Sequence, residues 1–261
     1  MLRSLSVGAT GMIAQQNNLD IIANNVANIN TNGYKKVRAE FQDLIYQQHR
    51  TPGAQVGQGT FVPVGVEYGL GVRTAATTRI FESGVMNSTG RDLDIAIEGD
   101  GFLQITLDDG TVAYTRDGAL KMDANGLLVT SEGYQTQPPI QIPTNTSKIN
   151  ISTDGNVYVT IGAQTEQTPA GQLQLVKFQN NSGLLAIGHN LYKETPGSGT
   201  PVPGIPGQDG YGTIQQGFLE GSNVQTVEEL VNLIKAERAF ESNSKVITSA
   251  SSILEQTNRI Q

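Results

Sequence analysis

Apolar residues recur at helical spacing over the first thirty residues of the chain, where they form one stripe. The stripe consists of Leu5, Met12, Leu19, Ile22 and Val26. The opposite face carries uncharged amides, including Asn24, Asn25 and Asn28. Amides can donate and accept hydrogen bonds locally, which suits a surface buried against other polar helices. The pattern predicts a helix that ends before Gly33. The alternative for its amide face is that it belongs to a soluble amphipathic helix and simply faces solvent.

A second stripe of apolar residues runs to the other end of the chain. Thr226 and Glu229 have the spacing of a capping box, which predicts that a helix begins there. The stripe includes Leu230, Leu233, Ile234, Phe240, Ile247 and Leu254. At 1.5 Å per residue, a helix over 226–260 would be about 50 Å long and could not bury its stripe alone. We therefore expect 1–30 and 226–261 to pair as a discontinuous, coiled-coil-like helical assembly domain, whose apolar and amide residues mediate self-assembly.

Between the two stripes the pattern is that of short strands separated by tight turns. The turn signals are Asp109-Gly110, Asp117-Gly118, Asn125-Gly126, Glu132-Gly133 and Asp154-Gly155. Glycine at these positions supplies the positive φ that hairpin turns require, and no helical period intervenes. This predicts a central antiparallel β-domain over 86–225, whereas 31–85 reads as an extended, irregular connector. The predicted fold is α+β and multidomain.

Composition and charge argue against several classes of function. The chain has 17 basic and 24 acidic residues, no cysteine and two histidines. An acidic chain with few charges is a poor ligand for nucleic acid, and without cysteine there are no disulfides or thiolate sites. Asp123-Ala-Asn-Gly126 resembles only part of a calcium loop, and turn chemistry explains it. We expect no enzyme activity, cofactor or metal site, and, because no apolar run is long enough, no membrane insertion.

The run 11–35, with Ala23-Asn-Asn-Val-Ala-Asn28 at its centre, resembles the signature of bacterial flagellar rod and hook proteins. Residues 237–247 resemble the C-terminal region of the same family. Residues 94–102 and 114–118 resemble its β-domain. The resemblance therefore covers essentially the whole chain.

Within that family, residues 46–65 resemble the insertion that marks distal rod proteins. The resemblance implies a structural subunit of the basal body that assembles with itself into a hollow helical tube and transmits torque across the periplasm. It also implies export through the flagellar type III apparatus without a cleaved signal, and contact with other rod and hook proteins and with surrounding ring proteins. The alternatives are another axial subunit, of the proximal rod or hook, and a peptidoglycan-acting periplasmic enzyme.

Overall fold

The computed structural model describes residues 2–53, 55–57, 60–61, 63–162 and 166–260. The chain divides into two compact units. The first comprises Met1–Ala27, Val37–Thr78 and Gln225–Gln261, and the second comprises Asn28–Lys36 and Arg79–Val224. Long helices dominate the first unit and antiparallel strands the second. The α+β class predicted from the sequence is confirmed.

The first unit is built on two helices, α1 (Leu2–Ala27) and α2 (Thr226–Ile260). The helix predicted from Thr226 is confirmed at that start. The N-terminal helix ends at Ala27. Asn28 and Thr31 form a turn instead, with the Thr31 hydroxyl donating to Asn28 Oδ1 over 3.2 Å. Short polar side chains that bond to their neighbours in this way compete with helical hydrogen bonding, so the helix stops before Gly33.

Residues 37–79 also form strands, which the pattern analysis did not predict. The strands are β1 (Val37–Asp43), β2 (Tyr46–Arg50), β3 (Gln55–Gly57), β4 (Thr60–Phe61), β5 (Val66–Gly69) and β6 (Val72–Arg79). They pair as β1 with β6, β2 with β5, and β3 with β4. Residues 54, 58–59 and 62 of the 46–65 segment lie outside the described residues. Strands β2 and β5 are exposed throughout, so neither shows the apolar alternation by which a half-buried strand is recognised.

The second unit is a set of antiparallel sheets. Its strands are β7 (Met86–Ser88), β8 (Ile95–Glu98), β9 (Phe102–Thr106), β10 (Val112–Thr115), β11 (Lys121–Met122), β12 (Leu128–Val129), β13 (Gln135–Gln137), β14 (Thr146–Ile151), β15 (Asn156–Ile161), β16 (Gln167–Gln172), β17 (Leu175–Lys177), β18 (Leu185–Gly188), β19 (Leu191–Lys193), β20 (Val202–Gly204), β21 (Thr213–Gln216) and β22 (Phe218–Glu220). The main sheet runs in the order β11-β12-β13-β9-β10-β19-β18; β17 joins it by pairing with β9, and β20 pairs with β17. Strands β14, β15 and β16 form a second sheet, and β8 pairs with β21 and β7 with β22. A 3-10 turn covers Asn181–Gly183.

The core of the second unit is aliphatic in its larger part and aromatic in a smaller one. The aliphatic cluster includes Ile95, Ile97, Leu103, Leu120, Leu128 and Leu175. The aromatic cluster comprises Phe102, Tyr114, Phe178 and Tyr192, whose rings meet edge to face. Ring pairs of this kind prefer edge-to-face contact, because the positive edge of one ring meets the negative face of the next.

Four of the five predicted glycine turns have the expected left-handed backbone, at Gly110, Gly126, Gly133 and Gly155. The prediction at Asp117-Gly118 was wrong, because Gly118 has no such φ and lies beside β8. Its carbonyl accepts a hydrogen bond from the Ile95 N–H over 3.0 Å. A Cβ at Gly118 would collide with the Ile95 carbonyl, so this glycine permits a close backbone approach.

Candidate self-assembly surface

Small residues let α1 and α2 approach each other closely. A Cβ at Gly8 would lie 2.8 Å from Cγ1 of Ile247, and one at Gly11 would lie 2.9 Å from Nδ2 of Asn243. Contacts this short leave no room for a side chain, so both glycines belong to the seam between the helices. Ala14 of α1 is buried, as are Ala236 and Ala250 of α2.

The structure distributes the predicted apolar residues between the seam and solvent. Ile22 is buried. Half-buried are Leu5, Met12, Leu19, Val26, Leu233, Phe240, Ile247 and Leu254. By contrast, Leu230 and Ile234 are 47% and 48% exposed. A single chain thus covers only part of the two stripes.

The predicted amides also differ from one another in their surroundings. Asn25 is 1% exposed. Its Nδ2 donates to the Val37 carbonyl over 2.8 Å, and its Oδ1 accepts the Val37 N–H over 3.0 Å. Asn24 is exposed and Asn28 is half-buried. Asn25 therefore holds the start of β1 against α1, a role that the amphipathic pattern does not reveal.

Helix α2 carries a second apolar face, away from the seam. Val227, Leu230, Val231 and Ile234 follow at three- and four-residue spacing, so they share one side of the helix, and all four are exposed. Ala236, only two positions beyond Ile234, is buried. We call these four residues the outer face of α2. The predicted stripe included two of them and missed Val227 and Val231, although their spacing alone could have identified them.

A shallow apolar cavity lies further along the helix pair. It has a volume of about 390 Å³ and is lined by Ser4, Lys245, Val246, Ser249, Ala250 and Ile253. Val246 and Ile253 are about half exposed there. The predicted stripe did not include Val246. The cavity extends the exposed apolar surface of α2 toward its C-terminal end.

The second unit contains a buried ionic cluster that joins distant parts of the chain. Lys35 Nζ lies 2.6 Å from Glu220 Oε1 and also 2.6 Å from the Glu82 carbonyl. Arg116 Nε is 3.5 Å from Glu220 Oε2, and Gly84 N–H donates to Glu220 Oε1 over 3.0 Å. Burial, with the Arg116 charge second, lowers the pKa of Lys35 to about 8 and outweighs the Glu220 carboxylate, which acts in the opposite direction. The cluster holds together the segments that contain Lys35, Glu82, Arg116 and Glu220.

The described chain offers no centre for metal chemistry. Within those residues, no group of three or more His, Asp or Glu side chains is placed to hold a metal ion. Among the described helices, none is long and apolar enough to cross a membrane. The features that stand out are the helix seam, the outer face of α2 and the ionic cluster, and all three are packing features. An exposed apolar face of this kind is typical of a protein that packs against other subunits.

Comparisons with known proteins agree with this class. Three family models match: "Flagella basal body rod protein" at residues 5–35, "Flagellar hook protein FlgE/F/G D1 domain" at 96–159, and "Flagellar basal body rod FlgEFG protein C-terminal" at 215–260. They identify an axial protein of the bacterial flagellum. The resemblance seen in the sequence is confirmed by these matches.

Relatives that match over the full length show which family of flagellar axial proteins the chain belongs to. The flagellar basal-body rod protein FlgG of Borreliella burgdorferi is 50% identical over 100% of this chain and 99% of its own length. The FlgG proteins of Agrobacterium fabrum and Bacillus subtilis are 48% and 42% identical, over 95% and 98% of both chains. The chain belongs to the FlgG family of flagellar basal-body rod proteins.

Membership of this family decides between the alternatives. A hook protein, FlgE of Helicobacter mustelae, matches at 46% identity but over only 52% of this chain and 30% of its own length. The chain is thus a structural subunit of the distal rod in the flagellar basal body. The relatives are structural rod proteins, which confirms the prediction that the chain is not an enzyme.

Proposed function

We propose that the chain polymerises into a hollow helical tube that crosses the periplasm and transmits torque. A contact between two different surfaces of one subunit, repeated without closing into a ring, builds an open helix of subunits. Torque then passes through many packed contacts at once. This mechanism requires an adhesive surface that a single chain leaves uncovered.

The observation that carries the proposal is the outer face of α2. Its four apolar residues are exposed although α2 already packs against α1 through the opposite side. Covering an exposed Leu or Ile side chain contributes up to about 1.5–3 kcal/mol, and a polymer repeats the gain at every subunit. We assign the helix residues predicted for self-assembly to this role, together with Val227 and Val231.

We propose a separate role for each of the three parts of the chain that the sequence predicts. Residues 1–30 and 226–261 would form the helical assembly domain, paired in a coiled-coil-like manner. Residues 31–85 would act as connector and carry the distal-rod-type segment 46–65, and 86–225 would form an outer β-rich domain. The names of its relatives imply neighbours in the basal body. We propose other rod and hook proteins, the surrounding ring proteins and the type III export apparatus as partners.

Ile234→Asp tests the proposal, because Ile234 is exposed in the single chain. We expect the variant to keep the wild-type circular dichroism spectrum and to stay in the supernatant under conditions in which the wild type sediments as tubes. An unpaired carboxylate in an apolar contact costs several kcal/mol. Ile234→Met is the matched control and should assemble, because Met fills similar apolar space.

Two results would contradict the proposal. One is a wild-type chain that never forms tubes visible by electron microscopy at any concentration. The other is an Ile234→Asp protein that forms tubes at the wild-type critical concentration. The first would reject polymer formation altogether, and the second would reject only the part assigned to the outer face of α2.

A further inference from the structure

A polar cavity in the second unit has features of a built binding site. It lies beside the turn between β18 and β19 and has a volume of about 200 Å³. Its lining includes Tyr34, Arg79, His189, Asn190 and Tyr192. We call it the Arg79 pocket. Its polar lining contrasts with the apolar cavity on the helix pair.

The guanidinium of Arg79 is held between two aromatic rings. Its Cζ lies 5.9 Å from the ring centre of Tyr34 and 5.4 Å from that of Tyr192. Its NH1 makes a long hydrogen bond of 3.5 Å to the Lys35 carbonyl. Arg79 is half-buried, and within the described part of the chain no carboxylate forms an ion pair with it. A partly desolvated guanidinium without a counter-ion is costly, and a carboxylate would match its fork of donors.

The charges in the buried cluster leave Arg79 without a counter-ion among the described residues. Two further cations, Lys35 and Arg116, are fully buried and share a single buried carboxylate, that of Glu220. Positive charge from both Arg79 and Arg116 reaches Tyr192, where it opposes the rise in the pKa of that hydroxyl caused by burial. With the exposed Glu82 also close to Lys35, the two cations and two carboxylates of the cluster balance, so the charge of Arg79 is left over. The exposed Glu132 lies 3.4 Å from Nδ1 of His189 and is the acid that pairs with the lining of the pocket.

The turn at the mouth of the pocket is rigidly built. His189 and Asn190 both have left-handed backbones, with φ of 54° and 59°. Asn190 Nδ2 donates to the Asn32 carbonyl over 2.9 Å, and Thr115 Oγ1 donates to the Asn190 carbonyl over 2.9 Å. Non-glycine residues in this region persist where surrounding contacts over-determine them, often at binding sites. The walls of the pocket are thus fixed before any ligand arrives.

We propose that the Arg79 pocket binds a carboxylate, and that in the assembled rod this carboxylate belongs to a second copy of the chain. The argument for a second copy is charge complementarity. The second unit has nine basic and fifteen acidic side chains, a net charge of −6. Copies packed side by side repel one another unless acidic groups of one meet basic groups of the next. The Arg79 pocket is a preformed cationic site on an acidic unit, so it can bind an acidic group of the neighbouring copy. The inference rests on the proposed function, because it needs contact between copies.

Variants at Arg79 in the full-length chain test the pocket. Arg79→Gln removes the positive charge, and Arg79→Lys keeps the charge but loses the paired N–H donors of the guanidinium. Lys121→Glu is a control at an exposed residue of the same unit. We expect Arg79→Gln to raise the critical concentration for tube formation about tenfold or more, and Arg79→Lys to raise it less. Lys121→Glu should change it by less than about twofold, because exposed ion pairs contribute little. Tubes of Arg79→Gln that form at the wild-type concentration would overturn the inference while leaving the proposed function intact.

A second measurement on the wild type remains decisive if the Arg79 variants unfold. Sodium acetate is the probe, compared with sodium chloride at the same ionic strength. We expect acetate to shift the side-chain amide resonance of Asn190 in the monomer and to inhibit assembly more strongly than chloride does. Absence of an acetate-specific shift would overturn the carboxylate site. An acetate-specific shift without any effect on assembly would overturn the second copy as its occupant, since the site would then take free carboxylates only.

Discussion

Asn25 on α1 and Glu229 on α2 are joined directly across 204 positions of the chain: Asn25 Nδ2 donates to Glu229 Oε2 over 3.3 Å. The same amide bonds to both backbone groups of Val37 at the start of β1. One buried side chain therefore connects three segments of the first unit. The helices are positioned by this polar contact in addition to their apolar seam.

Replacing Asn25 by alanine should destabilise the first unit strongly. The substitution leaves the Val37 N–H and carbonyl without the amide, and each buried polar group left unpaired costs about 1–3 kcal/mol. Urea unfolding of the assembled tube, in which the helices are ordered, measures the loss when it is followed by circular dichroism. Gln16→Ala is the control at an exposed amide of the same helix and should change stability by less than about 0.5 kcal/mol. Equal losses in the two variants would contradict the role of Asn25.

Charge placed in the helix seam should disrupt the helix pair as well as the polymer. Ile247 contacts the position of Gly8, and Leu19 is half-buried on α1. We expect Leu19→Asp and Ile247→Asp to abolish tube formation, because each puts an unpaired charge between packed helices at a cost of several kcal/mol. The second unit of the monomer should stay folded, because neither residue belongs to it. Sedimentation and near-ultraviolet circular dichroism check both parts, and wild-type tubes from either variant would refute the seam assignment.

Stability should rise with pH between about 8 and 10.5 through Lys35. Its pKa is lowered from 10.5 to about 8 in the folded chain, first by burial and then by the Arg116 charge. Between pH 8 and 10.5 the unfolded chain therefore binds more protons than the folded chain, so the free energy of unfolding increases with pH. Each tenfold difference in proton affinity contributes about 1.4 kcal/mol, and the total increase is up to about 3 kcal/mol. The difference in unfolding free energy between the wild type and Lys35→Met isolates this contribution from that of the tyrosines. A difference that stays constant from pH 7 to 10.5 would mean that Lys35 titrates normally.

The segment 46–65 is expected to stiffen the tube as a wedge between subunits. Tyr46 pairs with Gly69 and Gln48 with Glu67, so a deletion of 46–65 removes β2 and leaves Val66–Gly69 to span the gap that remains. We expect the deletion variant to form tubes that bend more easily than those of the wild type. Electron microscopy of the two tubes gives their curvature and persistence length. Unchanged stiffness would refute the wedge.

The helices and most strands of the second unit were predictable from sequence because their signals are local. Stripes of apolar residues predicted α1 and α2, and Asp-Gly and Asn-Gly pairs marked the turns. The strands over 37–79 were not predictable in this way, since β2 and β5 are exposed on both faces and so lack alternation. Gly118 shows a related limit, because its dipeptide resembles a turn but its role is a close approach to β8.

The candidate self-assembly surface was predictable only in outline. The stripes named Leu230 and Ile234 but could not distinguish the seam from the outer face of α2, because that distinction depends on which side α1 covers. The ionic cluster had no local signal, since Lys35, Arg116 and Glu220 come together only in the folded chain. The amphipathic pattern placed Asn25 on a surface for partner helices, and its bond to Glu229 of α2 fits that prediction, whereas its bonds to Val37 had no local signal.

Amide hydrogen exchange on the monomer and on the assembled tube tests the central claim most directly. The claim is that the terminal helices complete their burial only between copies. Ordering a residue costs about 1–2 kcal/mol of backbone entropy, and a single helix pair leaves the outer face of α2 in water. We expect amides in 5–28 and 230–255 to exchange rapidly in the monomer and to become strongly protected in the tube. Strong protection of the same amides in the monomer would show that the two ends form an autonomous domain, which would contradict the coupling of their folding to assembly.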